Sequence, residues 1–415
     1  MSFYNESVQT LYFDPTTYVP ATANAGGRVL FELDGQKMAY LPNMRLLNVG
    51  VDSASGSTLL YNELVGASVV IDSIHLYDGK TELSGINRHQ LYAGFLNQRN
   101  TNSVNTTVDS KLGVNSLGWT VEGASRKVGR VELSDGSDTY SHLDLSQIFP
   151  LLLELQILPT SLFPNLNIRI NVTNRLSSQI LNDISIVPSA IRPILAVDIL
   201  EDSKLIANMV KDLGRGVTWG EVEHDRFFVA GKGGVTADQL SKQVTNVTLN
   251  GFNNKHLERI LLVKELTNPS VEVDANQVLG FGRWGSPACF RQQLQINVNG
   301  ACVLPNAGIS GNNERLAYLV DAYGDCSNFT GSNQYALDIS EVVKNGGDYA
   351  GQLDYHGVYV GQYINTLQIN YSRVGLEESV GKRATTAGMY VNCYGQVNKL
   401  LSISGSSYEI SYSQV

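Results

Sequence analysis

Charged side chains are scarce in this sequence: only 17% of its 415 residues are Asp, Glu, Lys or Arg, against about 25% in a typical soluble protein. Its net charge is −9, and its densest basic segments, 126–130 and 382–383, are short. Binding to a nucleic-acid backbone needs clustered Lys and Arg, so we expect no direct sequence-specific binding of nucleic acid. The low charge predicts an uncharged polar surface, which is either partly covered by neighbouring molecules or simply rich in Asn, Ser, Thr and Gly.

Long hydrophobic runs are absent as well. The longest apolar block, 149–158, includes Glu154 and is far shorter than the ~18 residues of a membrane-spanning helix. The opening segment, MSFYNESVQT, is polar and contains an acid, so it does not resemble a signal peptide. The sequence therefore predicts synthesis in a cytosol-like compartment and no insertion into a membrane.

Cysteine is limited to four residues, all in the second half of the chain: Cys289, Cys302, Cys326 and Cys393. They form neither a C-x-x-C pair nor the spacing of a zinc site. In the reducing compartment predicted above, we expect free thiols rather than disulfides.

The sequence is rich in short β-type segments. In 166–173, Leu166, Ile168 and Ile170 alternate with polar residues, which is the pattern of a strand with one buried and one solvated face. Similar alternation occurs in QLQINVNG (293–300) and in SYEISYS (407–413). Many short strands separated by Gly and Asn turns, with few helices, predict an all-β sandwich or barrel.

Several segments recur in the same order in the two halves of the chain. LDLSQIF at 143–149 returns as LDISEVV at 337–343, and LNIRIN at 166–171 returns as LQINYS at 367–372. Upstream of these, IHLYDG and then NRHQLYAGFL in the first half are matched by INVNG and then NERLAYLVDAY in the second. A chain of this length exceeds what one hydrophobic core usually serves. We therefore predict a duplicated β domain, in the form of two tandem eight-stranded jelly rolls with short helices in the connections.

The patterns divide the chain into four parts, listed here in order: an N-terminal arm (1–27), a first jelly roll (28–200), a linking helix (201–216) and a second jelly roll (217–415). The arm lacks periodicity and carries Pro15 and Pro20. It is predicted either to lie against another surface or to be a disordered tail. In the linker, Leu205, Ile206 and Met209 are at helical spacing before Gly214, which predicts the helix and its end.

One group of residues could suggest metal binding or acid–base chemistry. Glu221, Glu223, His224 and Asp225 lie together in EVEHDRF. On a strand, the three acids share one face and the histidine points to the other. Because the chain supplies no further clear ligand partner, a solvated strand face is the favoured interpretation.

The remaining candidates are also better explained as structural features. His75 is predicted on a strand and His89 on a helix, so they do not form a metal-binding pair. The glycine-rich segment 280–285 is followed by Pro287 rather than by a helix, and 231–234 lacks the spacing of a phosphate-binding loop; both are predicted to be turns. We therefore predict no catalytic, cofactor-binding or metal-ligating residues, no cofactor and no enzymatic activity.

The ordered set of segments resembles a known family. The segments that carry the resemblance are PLLLEL (150–155), PNLNIRI (164–170), ILAVDILED (194–202), EHDRFFV (223–229) and YVNCYGQVNKLLSISGSSYEISYS (390–413). Together they are similar to the double jelly-roll major capsid proteins, the lineage shared by adenoviruses, tailless membrane-containing phages, virophages and polinton-like viruses. The individual segments are patterns of strand order and carry no catalytic signature.

The resemblance implies a structural protein of the virion. Two jelly rolls would stand side by side, three copies would form a pseudo-hexameric trimer, and trimers would tile an icosahedral capsid shell. Its partners would be neighbouring trimers, penton and minor capsid proteins and, through the N-terminal arm on the inner surface, an internal membrane. Two alternatives stay open: a minor capsid or spike protein, and a tandem jelly-roll carbohydrate-binding or glycan-processing protein.

Overall fold

The computed structural model describes most of the β framework of the chain. The described residues are 8–22, 25–49, 51–53, 68, 70–100, 119–122, 125–128, 131–132, 138–139, 141–174, 188–190, 192–214, 216–229, 244–266, 291–304, 312–324, 355–374 and 389–413. Within them, no helix is long and apolar enough to cross a membrane.

The strands fall into two groups along the chain. The first group comprises β1 (Val8–Phe13), β2 (Thr17–Val19), β3 (Gly27–Glu32), β4 (Ala39–Val49), β5 (Val51–Ser53), β6 (Ile71–Asp78), β7 (Thr81–Asn87), β8 (Trp119–Glu122), β9 (Ser125–Val128), β10 (Val131–Glu132), β11 (Asp138–Thr139), β12 (Ser141–Asp144), β13 (Leu158–Pro159), β14 (Leu166–Val172), β15 (Pro188–Ala190) and β16 (Ile194–Leu200). The second comprises β17 (Val217–Val229), β18 (Val244–Leu249), β19 (Lys255–Leu266), β20 (Arg291–Val298), β21 (Ala301–Cys302), β22 (Tyr355–Ile364), β23 (Leu367–Val374), β24 (Met389–Ser404) and β25 (Ser407–Tyr412). The helices described are α1 (His89–Asn100), α2 (Leu151–Glu154), α3 (Ser203–Leu213) and α4 (Asn312–Tyr323), with a short 3₁₀ turn at Leu145–Gln147.

Each group forms two large facing sheets whose strand orders correspond, apart from the extra edge strand β2 of the first group. In addition, β13 pairs with β4 and β25 with β24, and β5-β15, β8-β9 and β10-β11 form small two-stranded sheets. In the first unit the sheets are β1-β16-β4-β12 and β2-β3-β14-β6-β7, and in the second they are β17-β24-β19-β22 and β18-β23-β20-β21. In each unit the first strand therefore pairs with the last long strand, antiparallel in both cases. Two of the recurring sequence segments occupy matching places: β14 matches β23, and β6 matches β20. The segment 337–343 lies outside the described residues.

The alternating pattern of β14 has a direct structural cause. Ile168 and Ile170 are buried in the core of the first unit, whereas Arg169 between them is exposed. Each unit has a core of this kind between its two sheets. The periodicity of two residues thus reports burial on one face of the sheet.

The linking helix is present as α3. Asp202 caps its N-terminus, accepting hydrogen bonds from the backbone N–H groups of Lys204 at 2.9 Å and Leu205 at 3.1 Å, and the helix ends before Gly214. A capping aspartate of this kind stabilises a helix by about 1 kcal/mol. Ile206 and Leu213 are buried, so the apolar face of the helix packs against the body of the protein.

The prediction of an N-terminal arm outside the fold is wrong for residues 8–19. β1 pairs with β16 from Val8 opposite Leu200 to Phe13 opposite Leu195, and β2 pairs with β3. The side chains of Val8, Leu11 and Phe13 pack against the core of the first unit. These residues are thus strands of two sheets of the first unit rather than an arm outside the fold.

Candidate functional site

The two units meet across a sheet that is buried on both faces. In β19, Ile260 and Leu262 belong to the core of the second unit, while Leu261 and Val263 pack into the core of the first. All four side chains are at most 1% exposed. The segment ILLV is therefore continuously apolar, as expected of a strand covered on both sides, and the sheet of the second unit closes part of the core of the first.

Helix α1 of the first unit also lies in this contact. The ring of Tyr92 is 5.3 Å from that of Tyr394 in β24, and the ring of Phe95 meets that of Tyr323 in α4 edge to face at 5.0 Å. Such aromatic pairs contribute about 0.5–1.5 kcal/mol beyond their burial. The helix thereby fixes one unit against the other.

A buried ion pair joins the units beside α1. Arg88, which precedes the helix, places Nη1 2.8 Å from Asp72 Oδ1 in the first unit and Nη2 3.4 Å from Glu265 Oε1 in the second. The Glu265 side chain is fully buried. Burial by itself lowers the pKa of Arg88, but the carboxylates of Glu265 and Asp72 outweigh it and the pKa is raised. Arg88 therefore carries the positive charge that compensates a buried carboxylate of the other unit.

The ion pair continues into a hydrogen-bond chain within the second unit. Asn392 Nδ2 donates to Glu265 Oε2 at 3.2 Å, and His224 Nε2 donates to Asn392 Oδ1 at 2.9 Å. Burial, reinforced by the positive charges of Arg88 and Arg226, lowers the pKa of His224 to about 4. His224 is thus neutral at pH 7. We refer to Asp72, Arg88, Glu265, Asn392 and His224 together as the inter-unit network.

The backbone of Arg88 has an unusual conformation. Its φ is +52°, in the left-handed region that costs a non-glycine residue about 1–2 kcal/mol. The hydroxyl of Tyr394, from the second unit, donates to the carbonyl oxygen of Arg88 at 2.8 Å. The second unit therefore holds both the backbone and the guanidinium of this residue.

Glu221 forms a second polar contact between the units. Its carboxylate accepts hydrogen bonds from Ser84 Oγ at 3.0 Å and Gly85 N at 3.1 Å in the first unit, and from Trp219 Nε1 at 2.6 Å in its own strand. Burial raises the pKa of Glu221, against the effects of Lys399 and of the three hydrogen bonds, which lower it. A Cβ at Gly85 would lie 2.2 Å from His75 Nδ1, so the glycine leaves room for the His75 ring on the neighbouring strand.

The acids of EVEHDRF do not form one solvated face. Glu221 is 1% exposed, so that interpretation is wrong for this residue. Glu223 instead forms ion pairs with Lys255 and Lys399. It also accepts a hydrogen bond from the Tyr412 hydroxyl at 2.6 Å. Asp225 accepts the backbone N–H of Gly251 at 3.1 Å. Each carboxylate has its own partners, and within the described ranges no group of three or more His, Cys, Asp or Glu is arranged to hold a metal.

His75 and His89 of the first unit are not paired with each other. His75 contacts Glu82 through Nδ1 at 3.1 Å and Asn87 through Nε2 at 3.3 Å. His89 is buried at the start of α1, and burial lowers its pKa to about 4. Cys302 and Cys393 are free thiols; the other two cysteines and the glycine-rich segments 231–234 and 280–285 lie outside the described residues.

Replacing Arg88 by methionine is expected to lower the free energy of unfolding by about 3–5 kcal/mol, because it leaves Glu265 charged and buried without compensation. Urea denaturation of the purified protein measures this. The matched control is Arg192→Met, since Arg192 is 53% exposed and pairs with the exposed Asp14 at 3.5 Å; a surface pair of this kind contributes about 0–1 kcal/mol. Equal losses in the two variants would show that the inter-unit network is not important for stability.

The strand order, found twice in the chain, and the comparison with solved structures agree on the architecture. The chain is a double jelly roll. The mavirus major capsid protein is similar in structure with a TM-score of 0.56 at 11% identity, over 100% of this chain and 92% of that one. The PBCV-1 protein VP54, fitted into a reconstruction of the virophage Sputnik, is similar with a TM-score of 0.54 at 9% identity, over 100% of this chain and 99% of that one. A model of the PBCV-1 virus capsid is similar with a TM-score of 0.52 at 9% identity and the same coverage.

Sequence comparison adds nothing to this likeness: no family model and no curated protein matches the chain. At identities near 10% the structural similarity establishes the fold, and fold alone does not determine function. The double jelly roll predicted from the strand patterns is confirmed.

Proposed function

We propose that this double jelly roll is the major capsid protein of a virus, that three copies form a pseudo-hexameric trimer, and that trimers tile an icosahedral shell. The role is structural and needs no catalytic residue. Similarity over the whole chain to the mavirus major capsid protein and to PBCV-1 VP54 supports this proposal. Synthesis in the host cytoplasm and contacts with penton and minor capsid proteins belong to the same proposal.

The observation that favours self-assembly is an exposed aromatic residue on a sheet face of the first roll. In the second jelly roll, Leu261, Val263 and Tyr394 on the outer face of β17-β24-β19-β22 pack into the core of the first roll. On the matching face of the first roll, on β1-β16-β4-β12, Tyr12 at the β1 edge is 68% exposed, whereas Ala196 opposite it is 1% exposed. The two rolls share one topology. The second roll of another copy can therefore pack on this face of the first roll, in the way that the first roll packs on the matching face of the second roll within the chain.

Such a contact is heterologous, because each copy offers two different surfaces, and it closes into a ring when the rotation between copies permits. Three copies with two rolls each give a ring of six similar domains. Obligate contacts of this kind usually bury on the order of 2,000 Å² or more. A closed trimer of this kind therefore requires two different surfaces on each copy.

The expected mass in solution is three times the 45.2 kDa of the chain. Size-exclusion chromatography with light scattering measures it, and negative-stain electron microscopy is expected to show particles with a roughly sixfold outline. A stable monomer at micromolar concentration would contradict the proposal. A trimer that never associates further under any condition of ionic strength would instead favour a spike or minor capsid protein.

A further inference from the structure

The second roll has an outer sheet face made of uncharged amides. In β18, β23 and β20, core residues such as Leu249, Ile369 and Ile296 are buried, so the residues that alternate with them lie on the outer face of the sheet. The strand register places these outer residues in two rows, with Asn246, Asn370 and Gln295 in one row and Thr248, Gln368 and Asn297 in the next. We call these six residues the amide face, because five of them are carboxamides and none is charged.

The amide face lies at the surface of the described chain. Asn246, Thr248 and Gln368 are exposed, and the other three side chains are half-buried. Asn370 Nδ2 donates a hydrogen bond to Gln295 Oε1 at 3.2 Å, across two neighbouring strands. The contact between the two rolls uses the other sheet of this roll, through β19 and β24, so the amide face is not part of it.

The matching face of the first roll is charged. There β3, β14 and β6 take the places of β18, β23 and β20. The outer residues of β3 and β14 include Arg28, Glu32 and Arg169, all of which are exposed. The amide face is therefore a property of the second roll and not of the fold.

The lack of charge favours a face that is covered by another molecule. A surface that remains in solvent usually carries charges of both signs, at about 25–35% of its residues, whereas the centre of a protein–protein contact is depleted in charged residues. Burying a charge requires an opposite charge on the partner, but burying an amide requires only a hydrogen-bond partner. The amide face can thus be covered without any charged group on the other side.

Carboxamides are suited to one partner in particular, which is a second copy of the same face. Each carboxamide has two N–H donors and a carbonyl acceptor, so a row of them can form hydrogen bonds with an identical row. In a contact with twofold symmetry both copies present the same patch, and the patch must be complementary to itself. The matching face of the first roll does not meet this condition, because Arg28 and Arg169 of one copy would be brought towards those of the other.

We propose that the amide faces of two copies from neighbouring trimers pair with each other and join the trimers within the shell. This inference rests on the proposed capsid function, and it names a surface through which the trimers associate. The contact is hydrogen-bonded and uncharged, and its partner is a second copy of this chain.

The test places charges of both signs on the amide face of the full-length protein. The acidic variant carries Asn246→Asp and Gln368→Glu, which retain the shape of each side chain, and the basic variant carries Asn246→Lys and Gln368→Lys. Where identical faces meet, either variant brings like charges together, and such charges oppose association. Each variant is expected to raise the trimer concentration needed for further association by about tenfold or more, measured by light scattering.

The decisive sample is an equimolar mixture of the two variants, purified separately as trimers. Its acidic faces can meet basic faces, so association is expected to return to within about threefold of the wild type. The matched control is Gln36→Glu and Gln36→Lys, the same replacements at an exposed turn of the first roll, for which we expect no change. Circular dichroism checks the fold of each variant; where a double replacement prevents folding, Gln368→Glu and Gln368→Lys alone give the same comparison.

The other outcomes identify what is wrong. Normal association of both variants, or a mixture no better than either variant, would refute the pairing. An acidic variant that associates as well as the wild type, beside an impaired basic variant, would show that the amide face meets a basic surface instead of itself. In each of these cases the trimers remain intact in size-exclusion chromatography, so the proposed trimer stands. Wild-type trimers that never associate would contradict the proposed shell and the pairing with it.

Discussion

Deletion of residues 2–27 is expected to unfold the first jelly roll. The deletion removes β1, which pairs with β16 along its whole length, together with β2 and the first residue of β3. Val8, Leu11 and Phe13 would no longer pack on the core. Full burial of side chains of this size contributes about 1.5–3 kcal/mol each, and these three are partly buried. The combined loss is comparable with the 5–15 kcal/mol that holds a typical domain together.

Loss of β1 also uncovers the hydrogen-bonding edge of β16, and an exposed edge strand promotes aggregation. Soluble yield and far-UV circular dichroism of the truncated protein measure the effect. The matched control is deletion of residues 2–6, which retains every residue of β1 and is expected to give wild-type yield. A truncated protein lacking 2–27 that remains soluble with an unchanged thermal midpoint would show that the fold does not depend on this strand.

Acidification from pH 6.5 to pH 4 is expected to destabilise the protein through His224 and His89. Both have a pKa of about 4 in the folded chain, compared with about 6.5 when unfolded. The unfolded chain therefore binds more protons in this range, so stability is complete above pH 6.5 and falls as the pH decreases. The difference corresponds to about 3 kcal/mol for each histidine, and to about 6 kcal/mol for both.

Glu221 has the opposite effect and stabilises the folded chain as the pH falls. Burial raises its pKa, so the folded chain retains its proton more readily than the unfolded chain does. The variant His224→Gln separates the two effects: glutamine can still donate to Asn392 but does not titrate. Urea denaturation at a series of pH values is expected to show the wild type losing about 3 kcal/mol relative to the variant between pH 6.5 and 4. Above pH 7.5 the two curves should run parallel. Parallel curves throughout would exclude His224 as a source of acid sensitivity.

The sequence predicts those parts of the fold that depend on local pattern. β14 and β23 alternate between apolar and polar residues because each has one face in a core, and α3 has both its cap and its terminal glycine. β1 lacks a comparable signal: Leu11 and Phe13 are only partly buried, and Tyr12 between them is exposed. Its place in the sheet depends on β16, near the other end of the first roll, and no local pattern reports such a distant partner.

The inter-unit network could not be predicted from the sequence, for a related reason. Arg88 and Glu265 are isolated charges in the sequence, and only the packing of one roll on the other brings them together. One signal was available: the run ILLV in β19 is apolar at every position, which indicates a strand buried on both faces. It could have identified β19 as the contact strand, although not its partner.

The double burial of β19 also has a consequence for how the two halves of the duplicated chain can diverge. Leu261 and Val263 lie on the outer face of their sheet, yet they belong to the core of the other roll, so substitutions there are restricted as strongly as in any protein interior. On the matching outer face of the first roll Tyr12 is exposed, so substitutions at that position are restricted only by what another molecule requires. After duplication, the first roll could therefore change its outer face together with its neighbours in a shell, whereas the second roll could change its own only together with the first.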